Sequence, residues 1–182
     1  MDTTLDFNEK KFLTLFALFY EEDYSAYPTD KGNRRFAVVH DMAQKMCYFL
    51  KMFIVGEFKD FSFSWNWSGP YSTRLDWDLQ SLDEKIKNGA DLDNINLTEE
   101  YKAIVIQVRK DLKVLDHGLP TSKVEWMEIL SCLHYMKRFE YPLSGSKMIV
   151  PELLRRKPRF NPKFVEKAWG VLEECRKIWR DY

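Results

Sequence analysis

Apolar and polar side chains alternate strictly between residues 61 and 68. The odd positions carry Phe61, Phe63, Trp65 and Trp67, and the even positions carry Ser62, Ser64, Asn66 and Ser68. A period of two residues is typical of a strand that buries one face on a core. Gly69-Pro70 follows, and we expect this pair to end the strand, because proline cannot donate a hydrogen bond to a sheet.

Beyond Gly69-Pro70 the apolar positions take up the period of a helix. One stripe is formed by Leu75, Leu79, Leu82 and Ile86, and Ser72 stands where an N-cap belongs. Similar stripes predict helices on both sides of this segment. The second helix of the chain, from about residue 34 to 55, has the widest apolar arc, and we expect it to be central and the most buried.

Capping residues and helix breakers predict the ends of the other helices. Predicted helix starts are Asp6 or Asn8, Thr98, Ser122 in a capping box with Glu125, and Asn161-Pro162. We expect His117-Gly118 to end the helix that Thr98 opens. Pro151 is expected in the first turn of a short helix.

These elements predict a mainly α fold of the α+β class, with six or seven helices around one core. The strand needs a pairing partner for its backbone groups, and the segment with Leu92, Ile95 and Leu97 is the candidate. We therefore expect a β wing of two or three strands around residues 58–97, an arrangement similar to a winged helix. Residues 1–182 are expected to form one domain.

Composition and charge narrow the class of protein. The chain is 45% hydrophobic and 15% aromatic, with a net charge of zero, which excludes a disordered chain. Residues 137–182, in the C-terminal third of the chain, nevertheless carry 12 basic and 6 acidic side chains, an excess of six positive charges. No leader-like segment or membrane span is expected, and a cytoplasmic protein is predicted. Cys47, Cys132 and Cys175 fall in apolar helical patterns and are expected to be core thiols that bind no metal.

No catalytic or cofactor-binding motif stands out, and we expect no enzyme and no cofactor. His40 and Cys47 share a helix face, but their apolar neighbours favour core packing. Cys132 and His134 are two apart on a helix and should face different ways. The carboxylates Asp76, Asp78 and Asp83 are expected to form a solvated acidic face rather than a catalytic pair.

Two surface segments carry alternative functional interpretations. The partner-binding candidates on the aromatic segment are Trp65, Trp67, Tyr71, Arg74 and Trp77; the alternative is that the aromatic rings pack on the core. Trp77 is favoured because it lies off the leucine stripe. The nucleic-acid candidates are Arg155, Arg156, Lys157, Arg159 and Lys163, with Phe160 available to stack. The alternative there is a solvated loop with Phe160 stapled into the core.

Two motifs carry a resemblance to a known group of proteins. Gly69-Pro70-Tyr71-Ser72 with Leu75, Asp78-Leu79 and Leu82 resembles the signature of YwgA-like and SocA/Panacea-type antitoxin-domain proteins of bacteria and phages. Lys157-Pro158-Arg159-Phe160 with Val165, Ala168 and Leu172 resembles the pattern near their C-terminus. The resemblance implies a non-enzymatic protein-binding module in a bacterial cytoplasm, encoded by a bacterium or a phage. It implies an antitoxin, an adaptor or an inhibitor, whose partner is a toxin, a protease system or a host defence protein. A nucleic-acid binder using the basic third remains the alternative.

Overall fold

The computed structural model describes residues 4–22, 34–54, 56–90 and 96–175. In these ranges the order of elements is α1 (Phe7–Tyr20), α2 (Arg34–Phe53), β1 (Ser64–Asn66), β2 (Gly69–Tyr71), α3 (Thr73–Lys87), α4 (Glu99–Asp111), α5 (Lys123–Tyr135), α6 (Ser146–Arg156) and α7 (Pro162–Glu174). A π-helical turn, Met136–Glu140, extends α5. The predicted mainly α fold with a small β wing is confirmed.

The predicted caps account for several helix starts. Asp6 and Glu9 form a capping box at α1, with hydrogen bonds of 2.8 and 2.9 Å. Ser72 caps α3, and Asn161 caps α7 with Pro162 in its first turn. At α5 the hydroxyl of Ser122 accepts from the backbone N–H of Glu125. The Glu125 carboxylate accepts from the hydroxyl of Thr121, outside the predicted box.

The core is built around two helices. Nine consecutive residues of α2, 42–50, and nine of α5, 126–134, are buried on every face. The central position expected of α2 is therefore shared with α5, which packs against α2, β2, α6 and α7. A helix buried all round belongs in the middle of a fold. None of the helices in the described ranges combines the length and apolarity that a bilayer crossing requires.

The wing is a hairpin whose second strand is the Gly-Pro segment itself. β1 and β2 pair antiparallel, with Ser64 opposite Tyr71, Trp65 opposite Pro70 and Asn66 opposite Gly69. The prediction that Gly69-Pro70 ends the strand is wrong, because Trp67-Ser68 makes the turn and a two-stranded ribbon tolerates proline at its edges. Of the predicted partner segment, residues 91–95 lie outside the described residues, and Leu97 is described but not in a strand.

Two predicted helix boundaries are also wrong. α4 ends at Asp111, six positions before His117, and Lys113 directly after its C-cap adopts a left-handed φ of 50°. A non-glycine residue in that region cannot continue a right-handed helix. α6 begins at Ser146, so Pro151 lies inside the helix rather than in its first turn. Pro151 is exposed.

Candidate partner-binding surface

The hairpin is seated directly on the two central helices. Gly69 has a φ of 95°, and a Cβ at this position would lie 2.7 Å from the sulfur of Cys132 on α5. Glycine is therefore required at this position for two reasons: the positive φ of the backbone and the close approach of the hairpin to α5. The carbonyl oxygen of Pro70 accepts a hydrogen bond of 3.2 Å from the buried Nζ of Lys45 on α2.

The junction between the hairpin and α3 is fixed by a side-chain amide. Gln44 on α2 accepts a hydrogen bond from the Ser72 backbone N–H at 2.9 Å and donates to its carbonyl oxygen at 3.0 Å. The Ser72 hydroxyl then accepts from the backbone N–H of Leu75. Each residue from Gly69 to Ser72 except Tyr71 thus has a packing or bonding role in holding the hairpin and α3 to α2 and α5.

The second sequence motif is held to α5 by one buried carboxylate. Glu128 on α5 accepts from Lys157 Nζ at 2.8 Å and from Arg159 Nη2 at 2.5 and 2.6 Å. Lys157 Nζ also donates to the carbonyl oxygen of Trp67 in the hairpin turn. Phe160 is buried, as the core-staple alternative expected. We call Glu128, Lys157 and Arg159 the hairpin lock.

The other arginines of the basic segment are paired with carboxylates as well. Arg155 and Arg156 donate to Glu152 at 2.7 and 2.8 Å, and Arg156 also pairs with Glu140 at 2.7 Å. The Arg156 guanidinium lies 5.0 Å from the centre of the Trp65 ring. Of the five nucleic-acid candidates, Lys163 is the one for which the described residues show no carboxylate partner, and it is exposed in the first turn of α7.

The five partner-binding candidates divide by exposure. Trp65 is half-buried between Arg156, Lys157 and Tyr135, and Tyr71 is also half-buried. Arg74 is exposed, with its guanidinium 6.0 Å from the centre of the Phe61 ring. Trp67 in the hairpin turn is 83% exposed, and Trp77 on α3 is 67% exposed. These two rings are the large apolar surfaces that the hairpin and α3 leave to solvent.

Sequence reasoning missed a histidine held between two carboxylates. Nδ1 of His40 on α2 lies 3.2 Å from Asp76 and Nε2 lies 2.6 Å from Asp83, both on α3. Asp83 is buried, so the predicted solvated acidic face is wrong for this residue. Asp76 and Asp83 are seven positions apart, so a helix places them on one face. Nothing in the sequence showed that this face of α3 packs against α2.

This cluster changes the titration of its members. Burial alone would lower the pKa of His40, but the hydrogen bonds and charges of Asp83 and Asp76 outweigh it and raise the pKa above its usual value. Burial and a hydrogen bond to Asp76 raise the pKa of Tyr71 to about 12. The two ring nitrogens of His40 therefore contact carboxylates rather than the thiol of Cys47.

The cysteines are buried, and burial suppresses the reactivity of Cys47 and Cys132. All three fall in the described ranges, buried and without a disulfide. Burial raises the pKa of Cys47, and it raises that of Cys132 to about 12. A thiol rather than a thiolate is therefore expected at neutral pH. His134, two residues from Cys132, has its Nδ1 2.6 Å from the hydroxyl of Tyr48.

Compared with known proteins, the chain matches no family model, no curated protein and no solved structure. The resemblance to YwgA-like and SocA/Panacea-type proteins therefore stays a prediction based on two motifs. The likeness to a winged helix stays a prediction too. What the structure adds is that Lys157 of the second motif donates a hydrogen bond to the carbonyl oxygen of Trp67 in the hairpin turn, two residues before the first motif begins.

Proposed function

We propose that this chain is a non-enzymatic protein-binding module whose partner surface is the hairpin and α3. The observation that carries the proposal is the exposure of two tryptophans on this unit, 83% for Trp67 and 67% for Trp77. Tryptophan is among the residues most enriched in interface hot spots, because its large ring gains much when a partner covers it.

The surroundings of the two rings support this role. The backbone of the Trp67 turn is held by Lys157, and the hairpin behind it by Lys45 and Gln44. Trp77 projects from a helix that is capped by Ser72 and packed through Leu75, Leu79 and Leu82. A rigid platform loses little conformational entropy on binding, so more of the contact energy appears as affinity.

The class of partner comes from the sequence resemblance alone. SocA/Panacea-type and YwgA-like proteins suggest an antitoxin, an adaptor, or an inhibitor carried by a phage or mobile element. The proposed partner is accordingly a toxin, a component of a protease system or a host defence protein in a bacterial cytoplasm. No cofactor or metal enters the proposal.

A nucleic-acid binder is the second candidate, and the basic residues that motivated it support it less than before. Arg155, Arg156, Lys157 and Arg159 are ion-paired with glutamates. Each would have to give up a protein carboxylate to neutralise a phosphate, which offsets much of the gain from counterion release. A dedicated DNA- or RNA-binding surface usually leaves its cations available.

One capture experiment tests the protein-binding proposal. The full chain, the double variant Trp67→Ala/Trp77→Ala and the control Phe139→Ala serve as baits in bacterial lysate treated with nuclease. Phe139 is a matched control because it is 51% exposed but lies beyond α5. We expect a protein that the wild type and Phe139→Ala retain and the double variant loses. Equal recovery by all three baits would contradict the proposal.

The nucleic-acid alternative is tested separately by binding to labelled duplex and single-stranded DNA at several salt concentrations. We expect no affinity at physiological ionic strength. A submicromolar complex that weakens steeply with salt, and that Arg155→Glu with Lys163→Glu abolishes, would establish the alternative. These substitutions leave the Glu128 ion pairs of the hairpin lock intact.

A further inference from the structure

A cleft with an apolar floor lies beside the proposed partner surface. It has a volume of about 450 Å³ and is enclosed by the start of α1, residues 56–61 and α3. Phe12, Leu75, Leu79 and Leu82 lie under the cleft and are almost fully buried. The half-buried Phe58 and Phe61 form an apolar wall in which their rings stack with centres 6.0 Å apart. This volume falls within the range of clefts that bind ligands or peptide side chains.

The rim of the cleft has more carboxylates than cations. Its lining contains the carboxylates of Asp6, Glu9, Glu57, Asp60 and Asp78, against the cations of Lys11, Lys59 and Arg74. Glu57 is paired with Lys11 at 2.8 Å, and Glu9 is paired with Lys85 at 2.8 Å from the neighbouring surface of α3. Asp60 and Asp78 are exposed and form no ion pair with another described residue.

The carboxylate of Asp78 is partly desolvated. Burial is the largest cause of its raised pKa, Arg74 opposes the rise, and the charges of Glu9 and Asp6 add smaller contributions to it. A cation that arrives at Asp78 would stabilise the charged carboxylate that burial disfavours.

The wall of the cleft already accommodates a guanidinium. Arg74 lies with its guanidinium carbon 6.0 Å from the centre of the Phe61 ring. Stacking of a cation on an aromatic face is favourable in such partly desolvated positions. Because Arg74 and Phe58 already cover the Phe61 ring, an arriving lysine or arginine would pair with Asp60 and Asp78.

Trp77 stands at the edge of this cleft. On α3 it is three residues after Arg74 and four before Ser81, and both of these line the cleft. Residues three and four apart are neighbours on a helix surface. A partner that covers Trp77 is thereby brought to the cleft as well.

We propose that the cleft binds a cationic amphipathic segment of the protein partner, with aliphatic side chains against Phe58 and Phe61 and lysine or arginine side chains at Asp60 and Asp78. This assignment rests on the proposed protein-binding function and adds the chemistry of the bound segment. The phenylalanine wall supplies the apolar contact, and the carboxylates of the rim select the sign of the charge.

The test uses the full chain and two synthetic peptides of about 14 residues, long enough for several helical turns. One peptide places leucines on one helix face and lysines elsewhere, and the other replaces every lysine with glutamate. Binding is followed by calorimetry and by backbone amide chemical shifts. The variants are Asp78→Asn and the control Asp116→Asn, which removes an exposed carboxylate outside the cleft.

We expect the lysine peptide to shift the amides of residues 56–61 and 74–82 and the glutamate peptide to leave them unchanged. Asp78→Asn should weaken the lysine peptide by about threefold to fivefold, as for one partly exposed charge pair. Asp116→Asn should leave its affinity unchanged. Binding of both peptides alike, shifts confined to other residues, or equal losses in the two variants would overturn the assignment.

The same variants separate this inference from the proposed function. If a captured partner is lost by Trp77→Ala but bound fully by Asp78→Asn, the binding function stands and the cleft assignment falls. If neither substitution weakens the partner, both fall. If Asp78→Asn weakens the partner while Asp116→Asn does not, the cleft is part of the partner surface.

Discussion

The aromatic segment at residues 61–77 and the basic segment at 155–160 both have the sequence character of exposed binding surfaces, yet the structure uses them in opposite ways. The turn and helix of the first leave Trp67 and Trp77 exposed. The second places Lys157 in the interior, where it holds the hairpin turn and Glu128 together. A run of positive charge can therefore be structural when buried carboxylates face it, and only tertiary contacts show this.

Trp65 and Trp67, two residues apart, also look alike in the sequence but differ in burial. The alternation predicted that both rings lie on one face of a strand. Trp65 does lie in β1 and is covered by Arg156 and Lys157. Trp67 falls in the turn, beyond the last residue of β1, so the strand period no longer applies to it and its ring is left in solvent.

The largest expected effect is on the hairpin lock. Glu128→Ala leaves Lys157 buried without its carboxylate, and we expect the free energy of unfolding to fall by ~3–5 kcal/mol. The control Glu152→Ala breaks the pairs with Arg155 and Arg156, which are more exposed, and should cost about 1 kcal/mol or less. Chemical denaturation of both variants measures the difference. Equal losses would mean that the lock is no more structural than a surface ion pair.

The next largest effect is expected where Gly69 of the hairpin packs against α5. Gly69→Ala forces a side chain into a left-handed φ and against the sulfur of Cys132, and should cost ~2–4 kcal/mol. Gly89→Ala is the matched control, because Gly89 has a φ of 85° but no atom within 4 Å of the added Cβ. It should cost about 1 kcal/mol, from backbone strain alone. The prediction fails if the two variants melt at the same temperature.

A smaller, pH-dependent effect is expected from the contact between α2 and α3. The pKa of His40 is raised in the folded chain above the value of about 6.5 expected when unfolded. Its contribution to stability is therefore fully present below that pH and is lost as the pH rises through the folded-state pKa. The free energy of unfolding, measured across this pH range, should fall as the pH rises in the wild type and should not show this fall in His40→Gln. If the free energy of unfolding depends on pH equally in both proteins, the pH dependence arises from groups other than His40.

Local signals predicted the helices well. Asp6, Ser72 and Asn161 cap the helices they were expected to cap, because a cap depends on residues within one turn of it. The strand end predicted at Gly69-Pro70 was wrong, because proline, which interrupts larger sheets, is tolerated in a two-stranded ribbon. The contact between Lys157 and Trp67 spans 90 positions in the chain, and no periodicity encodes such a pairing.

The candidate surface was predicted in part. Trp77 lies off the leucine stripe, so helical geometry favoured it as an exposed ring, and it is exposed. The groups that cover Trp65, and the burial of Asp83 beside His40, could not be predicted, because each depends on which helix packs there. Sequence periodicity defines the face of an element, whereas the neighbour of that face is decided by the whole fold.

The smallest expected effect on stability distinguishes the exposed tryptophans from the core. Trp77→Ala should change the free energy of unfolding by about 0.5 kcal/mol or less, as for other surface substitutions. Leu79→Ala, two positions along α3, removes a fully buried side chain and should cost ~2–5 kcal/mol. Thermal melts of the two variants measure this contrast. If Trp77→Ala melts as early as Leu79→Ala, Trp77 belongs to the core.

The most direct measurement is the affinity of the purified partner for the wild type, Trp67→Ala and Trp77→Ala, determined by calorimetric titration of proteins with matched melting temperatures. We expect each substitution to weaken binding by ~2 kcal/mol, which is about thirtyfold. Full affinity in both variants would contradict the account, because the hairpin and α3 would then not be the surface that the partner covers.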